Sequence, residues 1–166
     1  WVENNRTGIA NANDWYPVGT TTVKWLVEDV NGNFEYCTTT ITVEDNEAPS
    51  ITCPADITQN NDNGQCNANV SIGAPVTADN CGVASVENDY NNTSDASDNY
   101  PVGVTTIIWT VTDIHGNTST CQQTVTIEDT ESPIAVCQNL TVQLDANGDG
   151  SITAAQIDNG STDNCG

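Results

Sequence analysis

Apolar and polar residues alternate along most of this chain, at the two-residue spacing of a strand with one buried face. Ile107, Trp109 and Val111 make one such run, and Val23, Trp25 and Val27 make another at the same spacing. Each run leads into a turn, Asp113 to Asn117 (DIHGN) or Asp29 to Asn33 (DVNGN), whose Gly and Asn tolerate positive φ. Cys121, Gln123, Val125 and Ile127 then share one face of a returning strand. Upstream, Ile51, Cys53, Ala55 and Ile57 alternate, Asn63-Gly64 turns the chain, and Cys66, Ala68, Val70 and Ile72 alternate on the way back. A polar corner, Thr77 to Gly82, leads to Val83–Val86. Strands near 55, 68, 84, 107 and 124, with one or two short ones between 88 and 103, predict an all-β fold. Six or seven strands suit an immunoglobulin- or fibronectin-like β-sandwich. Segments 4–14 and 88–99, rich in Asn, Asp, Ser and Thr, are expected to be exposed, variable loops.

The two long hairpins are copies. Tyr16 to Cys53 laid on Tyr100 to Cys137, a shift of 84 residues, gives identity at 19 of 38 positions without a gap. The same shift carries Asp79-Asn80-Cys81-Gly82 onto Asp163-Asn164-Cys165-Gly166. An internal period of this length marks a tandem array. Pro49 and Pro133 cannot donate to a ladder, so a new unit is expected to begin at each. The expected division is therefore 1–48 as the C-terminal part of one repeat, 49–132 as a complete repeat and 133–166 as the start of a third.

Composition narrows the function. Twenty-three acidic residues face only two basic ones, a net charge of -21, so nucleic acid and anionic membrane are repelled. No apolar run approaches the roughly 18 residues of a membrane helix, and no basic segment followed by an apolar stretch opens the chain. Any leader or anchor is thus expected outside these residues. Seven cysteines in small β units point to disulfides and an oxidising compartment. Zinc fits poorly, because there is no CxxC pair and the single histidine, His115, is replaced by Asn31 in the other copy.

The four cysteines of the complete repeat allow three connectivities. If its first and last strands run parallel at one edge, Cys53 and Cys121 lie near the same end. That leaves Cys66 for Cys81, although Gly150 stands where the next copy of Cys66 would be. Cys37 is expected to pair upstream, and Cys137 and Cys165 downstream.

Several motifs together carry a family resemblance. They are Cys53-Pro54-Ala55-Asp56-Ile57, Pro75, Asp79-Asn80-Cys81-Gly82, Tyr100-Pro101-Val102-Gly103, Thr112-Asp113, Gly116-Asn117, Cys121 and Glu128-Asp129 before Pro133. In order and spacing, residues 49–133 resemble the hyalin repeat, or HYR domain. The Asn- and Thr-rich, Lys-poor version is similar to repeats of large surface adhesins of Bacteroidetes. The resemblance implies tandem immunoglobulin-like sandwiches in an extracellular, cell-surface, adhesion-related protein. Residues 133–166 resemble a variant repeat that departs at Gly150.

Two acidic groupings are candidate calcium sites. At the junction between units, Glu44, Asp45 and Glu47 of the linker are expected near Asp79, Asn80 and Asp113, and Ca²⁺ would relieve their repulsion and stiffen the joint. The second is Asp145, Asn147 and Asp149, spaced as in the start of an EF-hand loop. There the twelfth position is Gln156 where a bidentate Glu is wanted, and the period aligns Asn147-Gly148 with the turn Asn63-Gly64. No catalytic motif is present, so a non-enzymatic role is expected. The expected function is a stalk or filament segment whose partners are neighbouring repeats of the same chain. The alternatives are a glycan- or protein-binding module using loops 4–14 and 88–99, or an ancillary domain of an exported enzyme.

Overall fold

The computed structural model describes residues 2–6, 8–9 and 11–166. It divides into two compact units, residues 1–47 and 48–166, and each is built of strands.

The first unit is one antiparallel sheet in the order β1 (Val2–Asn4), β2 (Gly19–Glu28), β3 (Phe34–Val43). Trp25 lies opposite Cys37, and Asn4 opposite Trp25. Val23 is buried.

The second unit repeats this register one period later and adds the other half of a sandwich. β8 (Val83–Asn88), β10 (Gly103–Asp113) and β11 (Thr118–Glu128) take the places of β1, β2 and β3. Trp109 lies opposite Cys121, and Asn88 opposite Trp109. Facing them are β4 (Ser50–Thr52) paired with β7 (Val76–Ala78), and β6 (Asn67–Val70) paired with β9 (Asp98–Pro101). Between the layers Ala68 and Val70 of β6 and Tyr100 of β9 pack with Ile107, Trp109, Val125 and Ile127. All seven are at most 4 % exposed, so the apolar positions inferred from alternation in β6, β10 and β11 meet across the core.

The segment expected as one strand at Ile51–Ile57 is two, because Pro54 has no N–H to give a ladder. β4 ends at Thr52, and β5 (Ile57–Asn60) crosses to the other sheet to pair in parallel with β11, Ile57 opposite Val125. Side chains satisfy the backbone at the crossing. The Gln123 amide donates to the Ala55 carbonyl at 2.8 Å, and the Asp56 carboxylate accepts from the Thr124 N–H at 2.7 Å. Gln123 is itself fully buried, and its carbonyl accepts from the Trp109 indole N–H at 3.2 Å. A polar residue on a core face is tolerated because both ends of its amide are used.

Residues 133–166 hold only isolated bridges, Ile134 with Thr162 and Cys137 with Asp158, and one helical turn, α1 (Ala154–Ile157). The Gln156 side chain accepts from the Thr153 N–H at 2.9 Å at the start of that turn.

The loops expected to vary are folded around buried asparagines. Asn88 accepts from the N–H groups of Tyr90 and Asn91 and donates to the Thr93 carbonyl, at 2.9, 3.0 and 2.7 Å. In the first unit Asn4 does the same work, accepting from the Arg6 N–H and donating to the carbonyls of Ile9 and Asn11. Tyr90 then stacks on Tyr100 at 4.4 Å between ring centroids.

Trp109→Ala is expected to cost about 3–5 kcal/mol in a denaturant titration, the usual penalty for emptying an aromatic site in a closed core. Burial, helped by the nearby Tyr90, Asp98 and Asp95, pushes the Tyr100 hydroxyl up to about 12. A raised folded value contributes stability that is complete below the unfolded value of about 10 and is lost as pH climbs towards 12. Unfolding midpoints measured from pH 9 to 12 should fall for the native chain and flatten for Tyr100→Phe.

Candidate functional site

The chemistry of the second unit gathers at its two ends. At the proximal end Ser50 pairs with Ala78, and the Ile114 N–H donates to the Gly82 carbonyl at 3.1 Å. These contacts put the corner Asp79–Gly82 beside the turn Asp113–Asn117.

Asp113 is 2 % exposed and caps that turn from within. Its carboxylate accepts from the backbone of His115 and Asn117, both at 2.8 Å, and from the Asn117 side chain at 2.7 Å. Gly116 closes the turn at φ 93°, where a side chain would be strained. Burial opposes ionisation of Asp113, but the hydrogen bonds from Asn117, His115 and Gly116 together outweigh it and hold the carboxyl below its ordinary range. Asp79 is arranged differently. Oδ1 accepts from the N–H groups of Cys81 and Gly82, both at 2.8 Å, while Oδ2 is buried with no hydrogen-bond partner among the described residues. A carboxylate oxygen of Asp79 lies within 4.8 Å of one of Asp113. Two carboxylates this close, one with a buried lone oxygen, offer oxygen ligands of the kind a hard cation takes.

The other expected ligands are placed as follows. Asn80 is exposed at the tip of the corner. Glu44, Asp45 and Glu47 end the first unit, where the Asp45 carboxylate accepts from the Glu47 N–H at 3.2 Å. Asp145, Asn147 and Asp149 form a separate, exposed tight turn. There Asp145 accepts from the N–H groups of Asn147 and Asp149, at 2.8 and 2.9 Å, as Asp29 does from Asn31 and Asn33. Those backbone bonds from Asp149 and Asn147 hold the Asp145 carboxyl below its ordinary range.

At the distal end, the hairpin tip bonds the end of β11, with the Asn61 N–H donating to the Glu128 carbonyl at 2.9 Å. Here Asp129 and Asp163 bring carboxylate oxygens within 4.8 Å, beside the sulfur of Cys165. This second grouping was not singled out among the expected ligands. The period could have found it, since a shift of 84 residues carries Asp45 and Asp79 onto Asp129 and Asp163.

Two disulfides form. Cys53 bonds Cys121, with Cα atoms 5.7 Å apart, at the crossing between β4 and β5. Cys66 bonds Cys165, with Cα atoms 4.8 Å apart. The expected Cys66–Cys81 pairing is therefore wrong, and so is the downstream partner expected for Cys165. Cys81 lies at the proximal end with Gly82 and Ile114, whereas Cys66 lies at the distal end with Val102 and Glu128. The eleven residues of β11 separate those ends by roughly 30 Å at 3.3 Å per residue, far beyond disulfide reach. Cys37 and Cys137 are exposed.

A family model described as HYR domain matches residues 44–127, about half of the chain. Hyalin of Strongylocentrotus purpuratus is 35 % identical over 147 residues, which cover 86 % of this chain and 12 % of that protein. Hyalin of Lytechinus variegatus is 34 % identical over 131 residues, 76 % of this chain and 24 % of the relative. The chain also resembles a rat (Rattus norvegicus) protein, "Sushi, von Willebrand factor type A, EGF and pentraxin domain-containing protein 1", at 33 % identity over 57 % of this chain and 3 % of that one. The chain thus spans less than a quarter of the length of each of these relatives.

Acid should act through Asp113. A depressed folded value contributes stability that is present above the unfolded value of about 3.9 and is lost as pH falls through the folded one. Urea midpoints from pH 7 to 2 should show Asp113→Asn less stable than the native chain at pH 7, with the gap closing in acid. A gap that stays constant would mean the carboxylate's charge plays no part in the turn.

Proposed function

The chain belongs to the HYR domain family, and from that premise we propose that it is a non-catalytic, structural segment of a large extracellular, cell-surface adhesive protein. In this reading each repeat adds a fixed increment of length, and the segment serves as a stalk that carries an adhesive region away from its anchor.

The observation that carries the reading is the bond between Cys66 and Cys165, which ties residues 49–132 to the segment that follows them. Modules that only needed to fold would keep their cysteines to themselves. A staple spaced 99 residues apart in an 84-residue period instead supports a covalent link from each module to the one that follows. Disulfides of this kind belong to oxidising compartments, which supports a location outside the cell. The net charge of -21 supports the same role, since a strongly acidic surface keeps neighbouring rods dispersed.

We further propose that Ca²⁺ binds at the proximal end through Asp79 and Asp113. The buried, partnerless Oδ2 of Asp79 supports this, because leaving such an oxygen without a partner costs about 1–3 kcal/mol or more for a charged group. A cation with six to eight oxygen ligands would draw the remainder from nearby acidic groups, carbonyls and water.

Calcium at a hundredfold excess over its dissociation constant should stabilise the folded chain by about 2.7 kcal/mol. Calorimetry with Ca²⁺ and with EDTA measures this directly, and Asp79→Asn should abolish the difference. Equal melting curves in both buffers would remove calcium from the proposal and leave the disulfide-linked stalk to be tested by small-angle scattering before and after reduction.

A further inference from the structure

The distal end of the complete repeat is already docked. Its hairpin tip is fixed by Asn61, which donates to the Gln65 carbonyl at 2.8 Å and accepts from the Thr130 N–H at 3.2 Å. Glu131 accepts from the Gly64 N–H at 2.7 Å. Onto this tip closes the corner Asp163–Cys165. The Asn164 side chain donates to the Gln65 carbonyl at 2.9 Å, and the disulfide joins the two cysteines. The corner is held in shape by Asp163, whose Oδ1 accepts from the Cys165 N–H at 2.8 Å.

The same four residues, Asp-Asn-Cys-Gly, occur one period earlier at Asp79–Gly82, with the same aspartate-capped turn and a final glycine at positive φ. There Asp79 Oδ1 accepts from the Cys81 N–H at 2.8 Å, and Asn80 occupies the position of Asn164. The turn before it also recurs, since Asp45 caps Glu47 as Asp129 caps Glu131, at 3.2 and 3.1 Å. Cys81 is half-buried, takes part in neither disulfide, and stands roughly 30 Å from the hairpin cysteine of its own repeat.

We propose that the corner Asp79–Gly82 is a docking surface for the hairpin tip of another copy of this repeat, closed by a disulfide from Cys81 to that copy's equivalent of Cys66. The Asn80 amide then donates to the carbonyl preceding that cysteine, as Asn164 does at Gln65. The inference rests on the array reading above and extends it to a rule: each repeat gives a hairpin cysteine forward and receives one at its corner. Closing the bond removes two protons and two electrons from two thiols. A low-molecular-weight disulfide such as oxidised glutathione accepts them and leaves as two thiols.

Two measurements test the rule. In the 166-residue chain, Cys37→Ala, Cys137→Ala and Cys165→Ala together leave Cys66 without its partner. Oxidation in a glutathione buffer should then give multimers that increase with protein concentration, with peptide mapping showing Cys66 of one copy on Cys81 of the next. Adding Cys81→Ala should return the chain to monomer. Monomer at every concentration with Cys53–Cys121 intact, or a Cys66–Cys81 bond inside one chain, overturns the proposal.

The second measurement needs no variant. A peptide spanning residues 57–70, activated at Cys66 as a mixed disulfide with thiopyridine, is reacted with the unaltered chain. Recognition predicts coupling to Cys81 several-fold faster than to Cys37 or Cys137, although both of those are more exposed. Coupling that follows exposure instead sinks the idea. If the pairing fails while the Cys66–Cys165 link still stiffens the chain in scattering, the stalk reading stands alone; if scattering fails too, both fall.

Discussion

A strand that leaves one sheet for another strips the intervening backbone of its ladder partners, and this sandwich depends on how that gap is closed. Between Cys53 and Asp56 neither β4 nor β5 supplies a neighbour. Gln123 reaches across to the Ala55 carbonyl, Asp56 takes the Thr124 N–H, and Cys53 is bonded to Cys121. All three come from, or go to, one face-to-edge stretch of β11. Through the Trp109 indole the same network reaches the centre of the core, so the crossing, the disulfide and the largest buried side chain form one connected set.

Because the crossing fixes β5 against β11, it also fixes which chain segments share an end. The corner at 79–82 and the turn at 113–117 fall together at one end, the hairpin tip and Glu128–Glu131 at the other. The acidic pairs follow that arrangement: Asp79 with Asp113 proximally, Asp129 with Asp163 distally. So do the cysteines, whose partners are set by the end they occupy and not by distance along the chain.

Much of this was written in the residues. Alternation at Ile107, Trp109 and Val111, with Val125 and Ile127 on the returning strand, identified the inner faces, because side-chain direction in a strand has a fixed period of two. The self-match at 84 residues found the repeated hairpin, and the HYR motifs agree with the family match. Three features were not legible. Pro54 splits a strand that alternation alone made continuous. Asn88 and Asn4 look like ordinary loop residues, and only the fold shows them buried beneath the segments they organise. The partner of Cys66 could not be read from spacing within one unit, since the relevant separation runs through strand order and into the following segment. Counting cysteines per repeat hid a bond that belongs to none of them singly.

The parallel pairing of β5 with β11 has a mechanical meaning. These strands lie near the beginning and the end of the repeat, so with the Cys53–Cys121 disulfide reduced a pull along the chain would slide them past each other and load the bonds from Ile57–Val125 to Asn60–Glu128 in shear, all at once. A hairpin pulled open from its free ends would give way one bond at a time. With the Cys53–Cys121 link closed, tension passes from one cysteine straight to the other and the residues between, β5 included, are shielded, so the repeat can release only a short slack. A chain of such modules would behave under tension as a tether with built-in stops.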